Sequence, residues 1–399
     1  MRLPALFILV TVMLDAMGIG LIMPIMPDLI REVEGGTLAS AALWGGILTT
    51  TFAIMQFLFG PIMGNLSDRY GRRPVLLISL VVMAADYLVM ALAGSIWLLL
   101  VGRIVGGITA ATHATASAYM ADISKPHEKA ANFGLIGAGF GVGFVLGPLI
   151  GGLLGEYGTR APFYGAAILA VVNFAFGYFI LRETVTDHIR RPFRWSRANP
   201  FGAFRQMSRL PGVRRLLAVF FIHSVAFHVY PSIWPYFTQE RFDWTPQMVG
   251  LSLALFGIMM AIVQGGLIRL VLPRFGERRT IIWGLVFDIT AFGALAMTTS
   301  GTVALILTPL ATLGAVITPA LTGIMSQKVA DDEQGALQGV LTSVGALAMI
   351  VSPMMMTLAF AEFTRTGAPV YFPGAPFIVS MVLMFVALWI FLRTKSDRI

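Results

Sequence analysis

The sequence predicts an all-α polytopic membrane protein, with twelve transmembrane helices in two six-helix halves. Three observations predict it. Of 399 residues, 57% are hydrophobic and only 12% charged, with a mean hydropathy of +0.81; soluble chains carry roughly 25% charged residues. Apolar runs of roughly twenty residues, enough to cross a bilayer core of ~30 Å, recur along the whole length. Basic residues gather in alternate breaks between these runs. In lipid every backbone amide must be satisfied within its own segment, so the runs are read as helices. They lack the apolar–polar alternation of a membrane barrel. The chain has no cysteine, which excludes disulfides and cysteine metal sites. Its first run starts at Leu3 behind a single arginine and has no small-residue cleavage site, so it is read as a retained helix rather than a signal peptide.

Taken from one polar break to the next, the spans fall at 4–30, 42–64, 74–95, 97–121, 132–155, 160–182, 212–237, 246–271, 279–299, 301–326, 336–361 and 372–393. The short breaks hold Gly, Pro, Asn and Ser, as in "TTSGT" between spans nine and ten. With the N-terminus in the cytoplasm, twenty-three of the 28 basic residues fall on cytoplasmic ends and loops. Only Arg31, Arg160, Arg241 and Arg365 fall outside, and Arg103 lies within a span. This bias sets the orientation, with both termini cytoplasmic. The formal net charge of +8 is thereby explained by topology, and no nucleic-acid partner is expected.

The longest break, 183–211, is basic and carries "HIRRPFRWSR". It divides an N-terminal six-helix bundle, 1–182, from a C-terminal one, 212–399. An internal repeat accompanies this division: "RYGRRPVLL" at 69–77 recurs as "RFGERRTII" at 274–282, an offset of 205 residues. Two six-helix halves in parallel repeat are a known transporter architecture.

The break between spans two and three reads "GNLSDRYGRRP". Gly64 and Gly71 are expected to permit close approach and a sharp turn, and Pro74 suits a first helical turn. Asp68 suits the positive end of another helix, with the start of span eleven at Gln334-Gly335 as the expected partner. Arg72 or Arg73 is expected to pair with Asp122 at the cytoplasmic end of span four. This stretch resembles the loop signature of the major facilitator superfamily, Gly-x-x-x-Asp-Arg-x-Gly-Arg-Arg. The resemblance implies a gating latch made of Gly64, Asp68, Arg69, Gly71, Arg72, Arg73 and Asp122. Span five carries Gly143-x-x-x-Gly147-Pro148-x-x-Gly151-Gly152. Small residues at helical spacing let two helices touch backbone to backbone, and the proline adds a kink. The complete pattern resembles the signature of the superfamily's antiporters.

Four charged residues lie deep in apolar spans: Asp15, Asp86, Arg103 and Asp288. At 1.5 Å per residue, Asp15 and Asp288 lie roughly 15 Å and 13 Å from the cytoplasmic ends of their spans, Asp86 roughly 18 Å from its own, and Arg103 about 9 Å from the outer face. Each costs about 2.5–3.5 kcal/mol near a bilayer centre, roughly 10 kcal/mol together. One arginine cannot pair with three aspartates, so at least one carboxyl is expected to take up and release a proton, Asp288 first and Asp15 second.

"MLDAMGIGLIMPIMPDLI", "DYLVMALAGSIWLLLVGRIVGGITAA", "YMADISKPHEKAANFGLIGAGFGVGFVLGP" and "QGALQGVLTSVGALAMIVSPMM" resemble the tetracycline:proton antiporters across essentially all twelve spans. The resemblance implies that Asp15, Asp86, Arg103 and Asp288 couple proton movement and that Gln56 and Gln264 lie near substrate. It also implies a tetracycline cargo, carried as a chelate with a divalent cation such as Mg2+, and a monomer in the inner membrane. One position departs: the best-studied members carry a histidine in span eight, seven residues before the glutamine, where this chain has Gly257. A multidrug:proton antiporter of the same superfamily is the alternative, and a proton-coupled metabolite transporter a further one. No catalytic constellation and no phosphate-binding Gly-x-x-x-x-Gly-Lys-Ser/Thr loop is present, so neither an enzyme nor ATP drive is expected. No cofactor or dedicated metal site is expected either. His223 and His228 in span seven are five positions apart and share no face. The aromatic residues around them are read as a cavity wall or as lipid-facing.

Overall fold

The computed structural model describes residues 3–110, 112–125, 127–186, 190, 192–195, 198–202, 210–330 and 333–394. Part of the basic 183–211 break lies outside the described residues, as do Asp331, Asp332, Lys395 and Arg398. Eleven helical segments among the described residues are long and apolar enough to cross a membrane. They are α1 (Pro4–Glu34), α2 (Leu38–Tyr70), α3 (Arg72–Leu92), α4 (Ile96–Ile123), α5 (Asn132–Gly155), α6 (Ala161–Ile180), α7 (Arg214–Phe242), the 52-residue segment Pro246–Met297, α10 (Gly301–Gln327), α11 (Gln334–Thr364) and α12 (Ala375–Leu392). The 52-residue segment holds two expected spans, α8 (246–275) and α9 (277–297). They part at Gly276, whose φ of +71° no helix accommodates, one turn after Pro273. Twelve spans are therefore present, as expected.

Helix ends follow local chemistry. Ser95 Oγ accepts the Leu98 N–H at 3.3 Å to start α4, and Ser300 Oγ accepts that of Val303 at 3.4 Å to start α10. Gly35, at φ +72°, closes α1. Gly71 takes φ +115° and Gly276 φ +71°, so the sequence repeat is matched by the same unusual backbone conformation. One expectation is corrected. "GNLSDRY" is not a loop: α2 continues as helix to Tyr70, and Gly71 alone makes the turn. Gly64 is a helical residue with open space where a Cβ would lie. The segment stays helical because nothing in it breaks a helix before Gly71, and polar residues are tolerated once the helix leaves the membrane.

The chain folds as two compact units. The first comprises 1–35, 51–200 and 245–254; the second comprises 36–50, 201–244 and 255–399. The start of α8 thus belongs with the first unit and the start of α2 with the second. In the first unit α1 lies along α5 and α6, and α3 along α6. A core of Phe7, Ile8, Val12, Leu76, Leu80 and Tyr119 fills the space between them. In the second, α7 lies on α11 and α12, and α9 on α12 and on a 3-10 turn of α10, Ala311–Val316. The α7 aromatics are internal to this unit. Tyr230, Trp234 and Phe237 interlock with Phe377 at ring separations of 4.8–6.2 Å, and all but Phe377 come from one helix face. The lipid-facing reading of these three is corrected: each is 0–2% exposed.

Candidate functional site

Three groups of residues carry the candidate chemistry. The first is the cytoplasmic turn between α2 and α3. Arg72 is its hub. Its Nη1 meets Asp68 Oδ1 at 2.5 Å and Ser67 Oγ at 3.1 Å, and its Nε meets Asp122 Oδ2 at 3.2 Å. Of the two arginines expected to reach Asp122, Arg72 does so. Arg73 instead donates to the Tyr178 carbonyl at 2.8 Å, its guanidinium over the Tyr178 ring. Arg69 lies against Tyr70. Thr184 Oγ1 also donates to Asp122, at 3.0 Å.

Sequence reasoning missed Glu183 here. Its carboxylate accepts the backbone N–H groups of Arg72 and Arg73 at 2.9 and 3.2 Å, and those of Thr184 and Val185 at 2.9 Å each. It caps the positive N-terminus of α3 from 111 residues away. Gly71 is needed twice over, for its positive φ and because a Cβ there would strike the Glu183 carboxylate. The 205-residue repeat continues at side-chain level. Glu277 stands where Arg72 does, Gln327 where Asp122 does, and Gln327 Nε2 donates to Glu277 Oε1 at 2.9 Å. The contact is repeated with its arginine–aspartate pair replaced.

The second group is the α1–α5 contact. Gly139, Gly143, Gly147 and Gly151 fall every fourth residue on one face of α5. They lie against the carbonyls of Leu9, Met13, Met17 and Leu21, every fourth residue of α1. A Cβ at Gly147 would sit 2.6 Å from the Met17 carbonyl, and one at Gly20 2.6 Å from Pro148 Cδ. Gly152 faces the other way, toward Pro246 and Gln247 at the start of α8, while Gly250 meets the Pro148 carbonyl. The antiporter-like pattern therefore makes two backbone-to-backbone contacts, one on each side of α5.

The third group is the intramembrane charges. Asp15 (8% exposed) and Asp86 (5%) belong to the first unit, and Asp288 (1%) to the second. Asp86 forms an ion pair with Arg103, whose Nη2 also lies 2.7 Å from Met90 Sδ and whose guanidinium lies 5.2 Å from the Phe52 ring centre. Gly102 and Gly106 make room for the pair: a Cβ on either would lie 2.7 or 2.8 Å from a carboxylate oxygen of Asp86. Asp15 makes no hydrogen bond or ion pair among the described residues. Tyr87, next to Asp86, lies against Gly18, one turn along α1 from Asp15. Asp288 occupies the space left by Gly314, where any Cβ would collide with all three carboxyl atoms. The nearest ionisable partner of Asp288 is His223 of α7, Nε2 to Oδ2 at 3.6 Å, a residue given no role on sequence grounds. Of the two glutamines, Gln56 is half-buried on α2, and Gln264 is exposed on a π-helical turn, Val263–Leu267. Such turns interrupt α-helices frequently at functional positions.

Residues 8–353 match the Major Facilitator Superfamily. The tetracycline resistance protein of class C from Escherichia coli is 42% identical over 96% of this chain and 94% of its own length. The class G protein from Vibrio anguillarum is 40% identical over 98% of both. The crystal structure of a bacterial homolog to the human lysosomal transporter Spinster shares the fold, with a TM-score of 0.82 over 99% of this chain and 97% of that one, at 17% identity. The chain is a multi-pass membrane transporter, not an enzyme, and it belongs to the Major Facilitator Superfamily, in the family of the tetracycline resistance proteins.

Proposed function

We propose that the chain exports tetracycline from the cytoplasm in exchange for protons, by alternating access across the inner membrane. The observation that carries this is the division of its buried acids. Asp86 is neutralised by Arg103, whereas Asp15 and Asp288 are buried with no arginine or lysine paired to them among the described residues. An unpaired carboxylate in a water-poor interior is costly. A proton, or a cationic group on the cargo, removes that cost, so the two compete for the same site. Binding of one favours release of the other, which is the linkage an antiporter needs.

In this scheme Asp288 or Asp15 is protonated from outside as drug leaves, and deprotonated inward as the site resets. One pH unit supplies about 1.4 kcal/mol, and 100 mV about 2.3 kcal/mol per charge. Together they sustain a drug gradient of roughly a few hundred-fold per proton. A divalent cation such as Mg2+ travels with the drug as part of the cargo, and Gln56 of the first unit and Gln264 of the second are each substrate contacts in this reading. The Arg72–Asp68–Asp122 cluster gates the cytoplasmic side, Asp68 being free to exchange its arginine for a helix N-terminus in another state. Both termini are cytoplasmic, and the transporter works as a monomer of two six-helix bundles joined by 183–211.

The test uses intact cells. Cells expressing the chain should hold less tetracycline than control cells, and a protonophore should abolish the difference. A difference that survives the protonophore overturns proton coupling. No difference for tetracycline, with one for other amphipathic drugs, moves the assignment to a multidrug antiporter.

A further inference from the structure

His223 stands out among the buried groups that the scheme above leaves unused. It is 2% exposed, and among the described residues neither Nδ1 nor Nε2 has a hydrogen-bond partner. Its ring lies nearly parallel to that of Phe227, 19° between planes with centres 5.7 Å apart, so packing fixes its plane. Nε2 points at Asp288 Oδ2 across 3.6 Å, and that oxygen is also without a hydrogen-bond partner. A separation of 3.6 Å is too long for a hydrogen bond. Two facing buried groups thus each lack what the other supplies once a single proton is added.

The surroundings leave that proton few other places. On α7, the titratable groups near the pair are His228, whose Nδ1 lies 2.6 Å from the Ser224 carbonyl, and Tyr230. The Tyr230 hydroxyl is buried without a partner and within electrostatic reach of Asp288. On α9, Asp288 is followed by no further titratable residue, and Glu277, Arg278 and Arg279 lie at its cytoplasmic start. The helices packed against α7 and α9 include α10, α11 and α12, with α8 and the start of α2, which has no titratable side chain over 38–50. The first three carry no titratable side chain apart from Glu362 in the last turn of α11, and α8 carries only Arg269 and Arg274 near its cytoplasmic end.

We propose that the proton site of the second unit is a two-residue site, in which one proton is shared between His223 and Asp288. In the unloaded state the imidazole is neutral and the carboxylate charged, for a net charge of −1. Loading adds one proton at Nε2 and gives an imidazolium–carboxylate pair of net charge zero, which closes by a few tenths of an ångström into a charge-assisted hydrogen bond. Unloading returns the proton and restores the negative charge for a cationic cargo. His223 is thus a proton-carrying partner of Asp288. This rests on the antiport reading for its purpose, but not for its existence.

The first measurement therefore uses no drug. In the full-length purified protein, imidazole 15N signals are followed from pH 5 to 9, that of His223 being identified by its loss in His223→Gln. Sites sharing a proton are coupled by more than about one pH unit. Asp288→Asn should move the His223 titration midpoint by at least that much; an unmoved midpoint overturns the proposal. The second measurement is gradient-driven tetracycline uptake into inverted vesicles by His223→Gln, Asp288→Asn and the double variant. Each single variant should fall to the level seen without a gradient, and the double should be no worse than Asp288→Asn. Gradient-driven uptake by His223→Gln at the wild-type level overturns the proposal. His223→Phe, which keeps a ring stacked on Phe227, replaces the glutamine variant if that one does not fold. Wild type that fails to accumulate tetracycline refutes the drug assignment, and the 15N result then still decides the proton site.

Discussion

Replacing Arg103 by leucine isolates the ion pair it forms with Asp86. Among the described residues the guanidinium is the sole cation on that carboxylate, and it also lies over Phe52. Its loss leaves an anion that is 5% exposed, one of whose oxygens, Oδ1, already has no hydrogen-bond partner. Breaking a buried pair from one side costs about 3–5 kcal/mol, roughly two to four orders of magnitude in the folding equilibrium. Asp86→Asn is the gentler change. The amide oxygen still accepts from Arg103, and the arginine stem can extend toward the outer face, so the cost is about 1–3 kcal/mol. The double variant carries neither charge and should be more stable than Arg103→Leu alone by about 2–3 kcal/mol. The assay is SDS-driven unfolding of purified protein in dodecylmaltoside, followed by helical circular dichroism. Additive effects, with the double less stable than either single, would refute the reasoning. Gradient-driven uptake by the double should stay lost, since the proposed coupling role needs the charges; restored uptake would make the pair purely structural.

Three further outcomes follow from the geometry. Gly314→Ala places a methyl on the Asp288 carboxyl; it should lower gradient-driven uptake at least as severely as Asp288→Asn, while overpacking destabilises by about 1–3 kcal/mol, both read on the same membranes. Gly143→Ala and Gly141→Ala, two residues apart on α5, should diverge: the first forces a Cβ onto the Met13 carbonyl and destabilises, whereas the second opens into free space and gains the better helix former, by up to about 1 kcal/mol. Glu183→Gln removes the charge on the α3 N-terminus and leaves a single acceptor oxygen, so the Arg73 N–H held by Oε2 loses its partner; it should cost about 1–2 kcal/mol in SDS unfolding, and Glu183→Ala more.

Much of this molecule is legible in its sequence. Span number comes from apolar run length, and the charged positions inside spans are conspicuous against an apolar background. The contacts that give those charges their meaning are not legible, for two physical reasons. Helices apolar on all sides carry no phase signal, so nothing in "FFIHSVAF" says that His223 turns toward α9. Partners also lie far apart in the chain: Glu183 caps a helix 111 residues before it, and Gly314 makes room for an aspartate on another helix. The "GNLSDRY" segment is not legible as helix because polar residues between two apolar runs look like a loop whether or not the helix continues through them. The α5 glycines did carry a signal. Their spacing of four foretold a helix contact, although only the structure identifies α1 and the start of α8 as the two surfaces met.

An unpaired buried carboxyl couples proton flow to tetracycline export in this scheme. Tetracycline uptake into inverted membrane vesicles under an imposed pH gradient, wild type beside Asp288→Asn, tests it most directly. Wild type should show gradient-dependent uptake and the variant none at equal protein level. Equal gradient-driven uptake by both would contradict it.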